Sequence, residues 1–112
     1  MKIIKFGGAS IKDSVNIKNV TEIIKKQNYL DSIIIVSAIG KTTNKLELIV
    51  KNYIENNEDL QNSLLDLEKF HIEITNNLFP KNHKIHNAIN LCFKEIASFL
   101  KNRSKCNKYS TW

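Results

Sequence analysis

The hydrophobic positions of the chain change from short continuous runs to long helical spacing. Residues 2–6 and 33–36 are rich in isoleucine, valine and phenylalanine, which is typical of buried strands in a parallel sheet. Between them, residues 14–27 carry apolar side chains at helical intervals, which predicts an amphipathic helix that covers one face of the sheet. The order strand, helix, strand predicts a right-handed βαβ unit with parallel strands.

Helical spacing dominates the rest of the chain. The predicted helices cover residues 43–57, 59–79 and 82–100. Because proline restricts the residue before it, Phe79 and Pro80 should end the long helix, and the last two helices should form an antiparallel hairpin with opposed apolar faces. His71 lies in the apolar stripe of the long helix. We interpret it as a packed, hydrogen-bonded histidine and not as a catalytic one.

The fold class that follows is α/β, with a βαβ portion, a helical hairpin and an incomplete sheet. A lone pair of strands needs partners to be stable in water. We therefore expect exposed apolar surface on residues 33–36, unless further strands or a second copy of the chain cover it.

Length and composition narrow the class of protein. A chain of 112 residues is one domain or part of one, with room for a modest core. The 42% of hydrophobic and 25% of charged residues predict a soluble globular chain and not a disordered one. No apolar run approaches the roughly 18 residues of a membrane span. With no signal peptide before the first strand, we expect a cytoplasmic protein without a membrane segment.

The net charge of +6 raises the question of an acidic partner. The lysines are scattered along the chain beside polar or acidic residues, and residues 101–108 are their only local concentration. This distribution favours a solvated basic surface over a specific nucleic-acid site. A weak basic tail is the alternative.

The two cysteines, Cys92 and Cys106, follow no disulfide pattern, which suits a reducing compartment. Cys92 falls on the apolar side of the last predicted helix, where we expect a small core residue. Together with His83 and His86, the cysteines do not match the spacing of a zinc site, so we predict no metal site.

A glycine-rich loop follows the first strand. Gly7 and Gly8 can take backbone angles closed to other residues and let an anion approach the main-chain N–H groups. Lys5 adds a positive charge and Ser10 a hydroxyl donor, while Asp13 or Ser14 can cap the next helix. The pattern predicts a phosphate site at the carboxyl end of the strand. The alternative is a tight turn beside a solvated lysine.

The second strand also ends in a polar loop. Residues 37–44 are small, hydroxylic or amide-bearing, apart from Ile39 and Lys41. The sequence Gly-Lys-Thr at residues 40–42 imitates a P-loop, but Ile35 stands where that motif requires its first glycine. Thr43 and Asn44 can either face a small polar substrate or cap the following helix.

Residues 5–10 and 36–44 together resemble the two N-terminal signatures of aspartate kinases, in the amino acid kinase superfamily. The resemblance implies the N-terminal part of that family's αβα sandwich. The first segment is similar to lysine-phenylalanine-glycine-glycine-threonine-serine, with Ala9 in place of the threonine. One hydroxyl of the family's phosphate loop is therefore missing.

The resemblance also implies a role for each matching residue. Lys5 would be the catalytic residue that neutralises the transferring γ-phosphoryl group, and a set of loop residues would bind phosphate. That set is Lys5, Gly7, Gly8 and Ser10. Ser37 and Thr43 would face L-aspartate, and Ala38 and Asn44 would shape its pocket. The implied reaction transfers phosphate from magnesium ATP, which is a substrate and not a tightly bound cofactor.

The chain is much shorter than an aspartate kinase, so the resemblance implies an N-terminal segment that is inactive alone. We assign residues 1–44 to the two loops, 45–100 to a helical segment and 101–112 to a basic tail. The missing C-terminal part, or another copy of the chain, would cover the sheet. The alternative is a non-catalytic interaction module, in which the helices over residues 59–100 pair with another chain.

Overall fold

The computed structural model describes residues 1–102. Its strands and helices are β1 (Lys2–Phe6), α1 (Ser14–Lys25), β2 (Ser32–Val36), α2 (Thr42–Ile54), α3 (Leu60–Leu78) and α4 (Ile85–Lys101). Two short 3₁₀ helices, Gly8–Ile11 and Tyr29–Asp31, lie in the connections. The chain forms two compact units, the first over Met1–Thr43 and the second from Asn44 onward.

The first unit contains the predicted parallel pair of strands. Lys2 of β1 lies opposite Ser32 of β2, and the register continues to Phe6 opposite Val36. Along β1, Ile4 and Phe6 are half-buried while Lys5 is exposed, as the alternation of side chains in a strand requires. The parallel α/β arrangement predicted from the sequence is confirmed.

Helix α1 connects the two strands and begins at a well-formed cap. The Asn16 backbone N–H donates to Asp13 Oδ1 at 2.8 Å, and the Asn16 side-chain amide donates to the same oxygen at 2.7 Å. Asp13 is therefore the cap that the sequence left open between two residues. The inner face of the helix carries Val20, which is buried, with Ile17 and Ile24 half-buried beside it.

Strand β2 exposes its apolar side chains. Residues 33–36 are between 38% and 58% exposed, which confirms the predicted apolar surface. The sheet has two strands, so within residues 1–102 no further strand pairs with the outer edge of β2. An apolar strand in this position is an incomplete part of a sheet.

The second unit is built around a helical core. Its buried apolar residues are Ile49, Tyr53, Leu64, Leu67, Phe93 and Leu100. Early residues of α3 share this cluster with the last turn of α4, so the two helices are antiparallel, as predicted. Helix α3 ends at Leu78, where Phe79 adopts an extended conformation before Pro80.

His71 belongs to this core region and is half-buried. Its Nδ1 lies 2.9 Å from the Leu67 carbonyl oxygen, and its ring packs edge-on against Phe70 and at a tilt against Phe93. The prediction of a packed, hydrogen-bonded histidine is confirmed. Because Leu64 and Leu67 are buried within the chain, the apolar stripe of α3 already has an internal partner, which does not favour its pairing with another chain.

Two local predictions were wrong. Helix α2 begins at Thr42, so Thr43 and Asn44 lie inside its first turn and neither is the N-cap. Cys92 is exposed because the buried stripe of α4 is centred on Phe93 and Leu100, which leaves residue 92 at its margin. Cys106 and the basic concentration beyond residue 102 lie outside the described residues.

Candidate functional site

The loops that follow β1 and β2 lie side by side at the carboxyl edge of the sheet. The strands end in register, and the Ser37 backbone N–H donates to the Phe6 carbonyl oxygen at 3.1 Å, one step beyond the last strand pair. This edge is where open α/β sheets bind their ligands. Up to Thr43, the two stretches singled out from the sequence therefore lie together in the first unit.

The two loops come close to each other at Gly8. A Cβ atom on Gly8 would lie 3.2 Å from the Gly40 carbonyl oxygen and 3.9 Å from that of Ala38. By contrast, a Cβ atom on Gly7 would meet no heavy atom within 4 Å. Gly8 is thus the residue whose missing side chain allows the contact between the loops.

The prediction that the glycine pair takes backbone angles closed to other residues was wrong. Gly7 has φ −82° and ψ 176°, an extended conformation open to any residue, and the only glycine of the described residues with a positive φ is Gly40, at 55°. A side chain at Gly8 would crowd the Gly40 carbonyl oxygen, and Gly40 has the left-handed backbone angle that favours glycine. Gly7 has neither requirement within the chain, which leaves room beside it for a ligand.

The glycine loop continues as a tight 3₁₀ helix. The Ser10 backbone N–H donates to the Gly7 carbonyl oxygen at 3.1 Å, and Ile11 is buried beneath the loop. The Ser10 amide is therefore already engaged, and its exposed side-chain hydroxyl is the group that can reach a ligand. Lys5 is exposed on the next-to-last residue of β1, opposite Ile35.

The start of α1 carries a negative charge of its own. The Asn16 backbone N–H and side-chain amide donate to the Asp13 carboxylate and hold the pKa of Asp13 below its ordinary value of 3.8. The ionised carboxylate complements the positive end of the helix dipole. The N-terminus of α1 therefore already has an anionic partner within the chain.

The second loop presents the predicted substrate residues on exposed positions. Ser37 and Ala38 are exposed directly after β2, and Thr43 and Asn44 are exposed on the first turn of α2. The structure brings Ala38 to the glycine loop, at its contact with Gly8. Asn44 is the first residue of the second unit.

Sequence reasoning missed Thr42 as a part of this site. Thr42 is buried, and its side-chain hydroxyl donates to the Ile39 carbonyl oxygen at 2.6 Å. The Thr42 backbone N–H donates to the same oxygen at 3.1 Å. A threonine directly before a predicted helix was a usable signal, because its hydroxyl can bond a nearby backbone carbonyl group.

The second unit has a groove of its own, which contains none of the predicted site residues. It has a volume of about 660 Å³ and lies between α2 and α3, with Lys45, Asn52 and Asp66 in its lining. Within residues 1–102, no three histidine, cysteine or acidic side chains are grouped as metal ligands. None of the helices in that range is long and apolar enough to cross a membrane.

Comparison with known proteins identifies what the chain is similar to. The sequence profile of the amino acid kinase family matches residues 1–102. A bifunctional aspartokinase/homoserine dehydrogenase from Buchnera aphidicola subsp. Acyrthosiphon pisum (strain APS) is 34% identical over 103 residues. That alignment covers 91% of this chain and 13% of the relative, so the chain spans about an eighth of the relative's length.

Proposed function

The chain belongs to the amino acid kinase family, and on that premise we propose that it is the N-terminal segment of an aspartate kinase. The reaction would transfer the γ-phosphoryl group of magnesium ATP to the β-carboxylate of L-aspartate. The observation that carries the proposal is that the two signature loops lie side by side, with the Ser37 backbone N–H bonded to the Phe6 carbonyl oxygen and the Gly40 carbonyl oxygen close to Gly8. A phosphate donor and a small acceptor bound to adjacent loops would lie within reach of each other.

The glycine loop and Lys5 would hold the phosphate donor. Lys5 is exposed at the carboxyl end of β1, where its ammonium group would neutralise charge on the transferring phosphoryl group. Gly7 has open space around its α-carbon, and the Ser10 hydroxyl is exposed on the same loop. These groups would bind phosphate oxygens. Mg²⁺ would arrive with ATP, since it is commonly bound through substrate phosphates.

The second loop and the start of α2 would hold aspartate. The hydroxyls of Ser37 and Thr43 belong to exposed residues, and Ala38 and Asn44 would shape the pocket beside them. A carboxylate is already ionised at pH 7, so it needs no general base to act as nucleophile. Positioning and charge neutralisation suffice, which agrees with a pair of loops that offer hydroxyls, amides and lysine side chains.

The proposal is tested by a chimera in which residues 1–102 replace the matching segment of the Buchnera aphidicola relative. Aspartyl phosphate is trapped as its hydroxamate from magnesium ATP and aspartate. We expect the chimera to phosphorylate aspartate and Lys5→Met to lower kcat at least about 100-fold, as loss of a charge-stabilising group does. Residues 1–112 alone should give little or no turnover, because they span a small part of the relative.

Lys18→Met is the matched control, since Lys18 is an exposed lysine of α1. The homoserine dehydrogenase activity of the same chimera reports whether the protein has folded. If Lys5→Met retains the phosphorylation rate of Lys18→Met while the dehydrogenase activity is normal, the role given to Lys5 is rejected. A chimera with normal dehydrogenase activity and no aspartate phosphorylation would reject the aspartate kinase assignment.

A further inference from the structure

The turn over residues 39–42 is held by a single acceptor. The Ile39 carbonyl oxygen accepts from the Thr42 hydroxyl at 2.6 Å and from the Thr42 backbone N–H at 3.1 Å. Between these residues, Gly40 has a left-handed backbone with φ 55°. Two hydrogen bonds to the Ile39 carbonyl oxygen therefore close the turn around Gly40, whose left-handed backbone angle favours glycine.

The same turn sets the position of the Gly40 carbonyl group. That oxygen lies 3.2 Å from the place where Gly8 would carry a Cβ atom, so the second loop leaves little space for a side chain at this point of the glycine loop. We propose that Thr42 is a positioning residue, whose buried hydroxyl fixes the turn that seats the Gly40 carbonyl against Gly8 and so shapes the phosphate loop. The inference rests on the proposed function only for the identity of the ligand, a nucleoside triphosphate.

The burial of Thr42 explains why its hydroxyl, and not only its shape, matters. The residue is 7% exposed, and the Ile39 carbonyl oxygen satisfies its hydroxyl. Valine has nearly the same shape, so Thr42→Val removes this bond while it keeps the packing. Thr42→Ser keeps the hydroxyl and removes only a methyl group.

Thr75 provides a matched control in the second unit. It is 8% exposed, and its hydroxyl donates to the Ile72 carbonyl oxygen, again three residues earlier, at 3.0 Å. Thr75→Val thus removes the same kind of bond from the same kind of site in α3, with no part in either loop. A general effect of losing a buried hydroxyl would appear in both valine variants.

The experiment uses the full chain, labelled with ¹⁵N, in two NMR measurements. The first is solvent exchange of the Ser10 and Ser37 amides without ligand, because these amides are bonded to the Gly7 and Phe6 carbonyl oxygens in the loops. The second is titration with magnesium ATP. We expect Thr42→Val to raise the exchange rates and the Kd each about fivefold, the factor for one lost hydrogen bond. Thr42→Ser should restore both values, and Thr75→Val should leave both unchanged.

If the Ser10 amide exchanges at the wild-type rate in a folded Thr42→Val chain, the positioning role of Thr42 is overturned. This holds whether or not the Kd for magnesium ATP changes. Equal changes in the Thr75→Val chain overturn it as well. If the valine variant does not fold, Thr42→Ala, which introduces no new group, is measured in its place. A wild-type chain that does not bind magnesium ATP speaks against the proposed phosphate site, while the amide exchange still decides the role of Thr42.

Discussion

Leu67 in α3 and Ile35 in β2 are both apolar residues inside regular elements, but Leu67 is 1% exposed and Ile35 is 46% exposed. The second unit closes its own core, because α2, α3 and α4 each turn an apolar face toward a common cluster. The first unit has a sheet of two strands, which cannot cover itself.

The predicted chemistry lies in the unit with the smaller core. In the first unit only Ile11 and Val20 are buried apolar residues, yet this unit carries both signature loops. Its loops are held by main-chain contacts such as the bond from the Ser37 amide to the Phe6 carbonyl oxygen, and not by a large core. The packing of the helices and the geometry of the loops thus depend on different contacts. Substitutions should therefore affect one without the other.

The largest effect is expected from Leu67→Ala, which removes the most completely buried side chain of the helical core. Loss of transfer free energy and the cavity left behind should lower the free energy of unfolding by about 2–5 kcal/mol. Urea unfolding followed by circular dichroism measures it. Leu65→Ala is the control on the same helix, because Leu65 is 45% exposed. Equal losses in the two variants would contradict the description of the core.

The next effect separates the two neighbouring glycines. Gly8→Ala places a methyl group 3.2 Å from the Gly40 carbonyl oxygen and should cost about 1 kcal/mol through overpacking. Gly7→Ala meets open space in an extended backbone and should be neutral or stabilising by about 0.4–1 kcal/mol. The comparison of their urea midpoints checks this order. A Gly7→Ala chain less stable than Gly8→Ala would contradict the loop geometry.

A smaller effect is expected at the cap of α1, and it depends on pH. The pKa of Asp13 is lowered in the folded chain, so its ionised form stabilises the fold above the ordinary value of 3.8, and this contribution is lost as the pH falls below it. Asp13→Asn keeps a good cap but should remove this acid dependence. Thermal unfolding midpoints measured between about pH 3 and 7 test it. If the difference in unfolding midpoint between low and neutral pH is the same in Asp13→Asn as in the wild type, the acid dependence comes from other carboxylates.

The smallest effect is expected at the exposed strand. Ile35→Thr replaces one β-branched residue by another on a half-exposed position, so the free energy of unfolding should change by no more than about 0.5 kcal/mol. Urea unfolding, as for Leu67→Ala, measures the change in the free energy of unfolding. A loss as large as that of Leu67→Ala would mean that β2 is buried in solution, for instance against a second copy of the chain.

The elements and their order follow from the amino-acid sequence alone. Apolar runs at residues 2–6 and 33–36 and helical spacing elsewhere were sufficient, because each pattern reflects the period of one secondary structure. Composition and loop residues also indicated where chemistry would lie, at the ends of both strands. A cap at Asp13 or Ser14, and the end of a helix before Pro80, were readable for the same local reason.

Tertiary structure decided which atoms meet. The helix start at Thr42 moved Thr43 and Asn44 out of the cap position, and the packing of α4 placed Cys92 outside the core. Only the alignment of two parallel strands could bring the Gly40 carbonyl oxygen to Gly8, because the two residues are far apart in the sequence. Local patterns specify backbone conformation, but contacts between distant loops depend on strand register, which no single segment encodes.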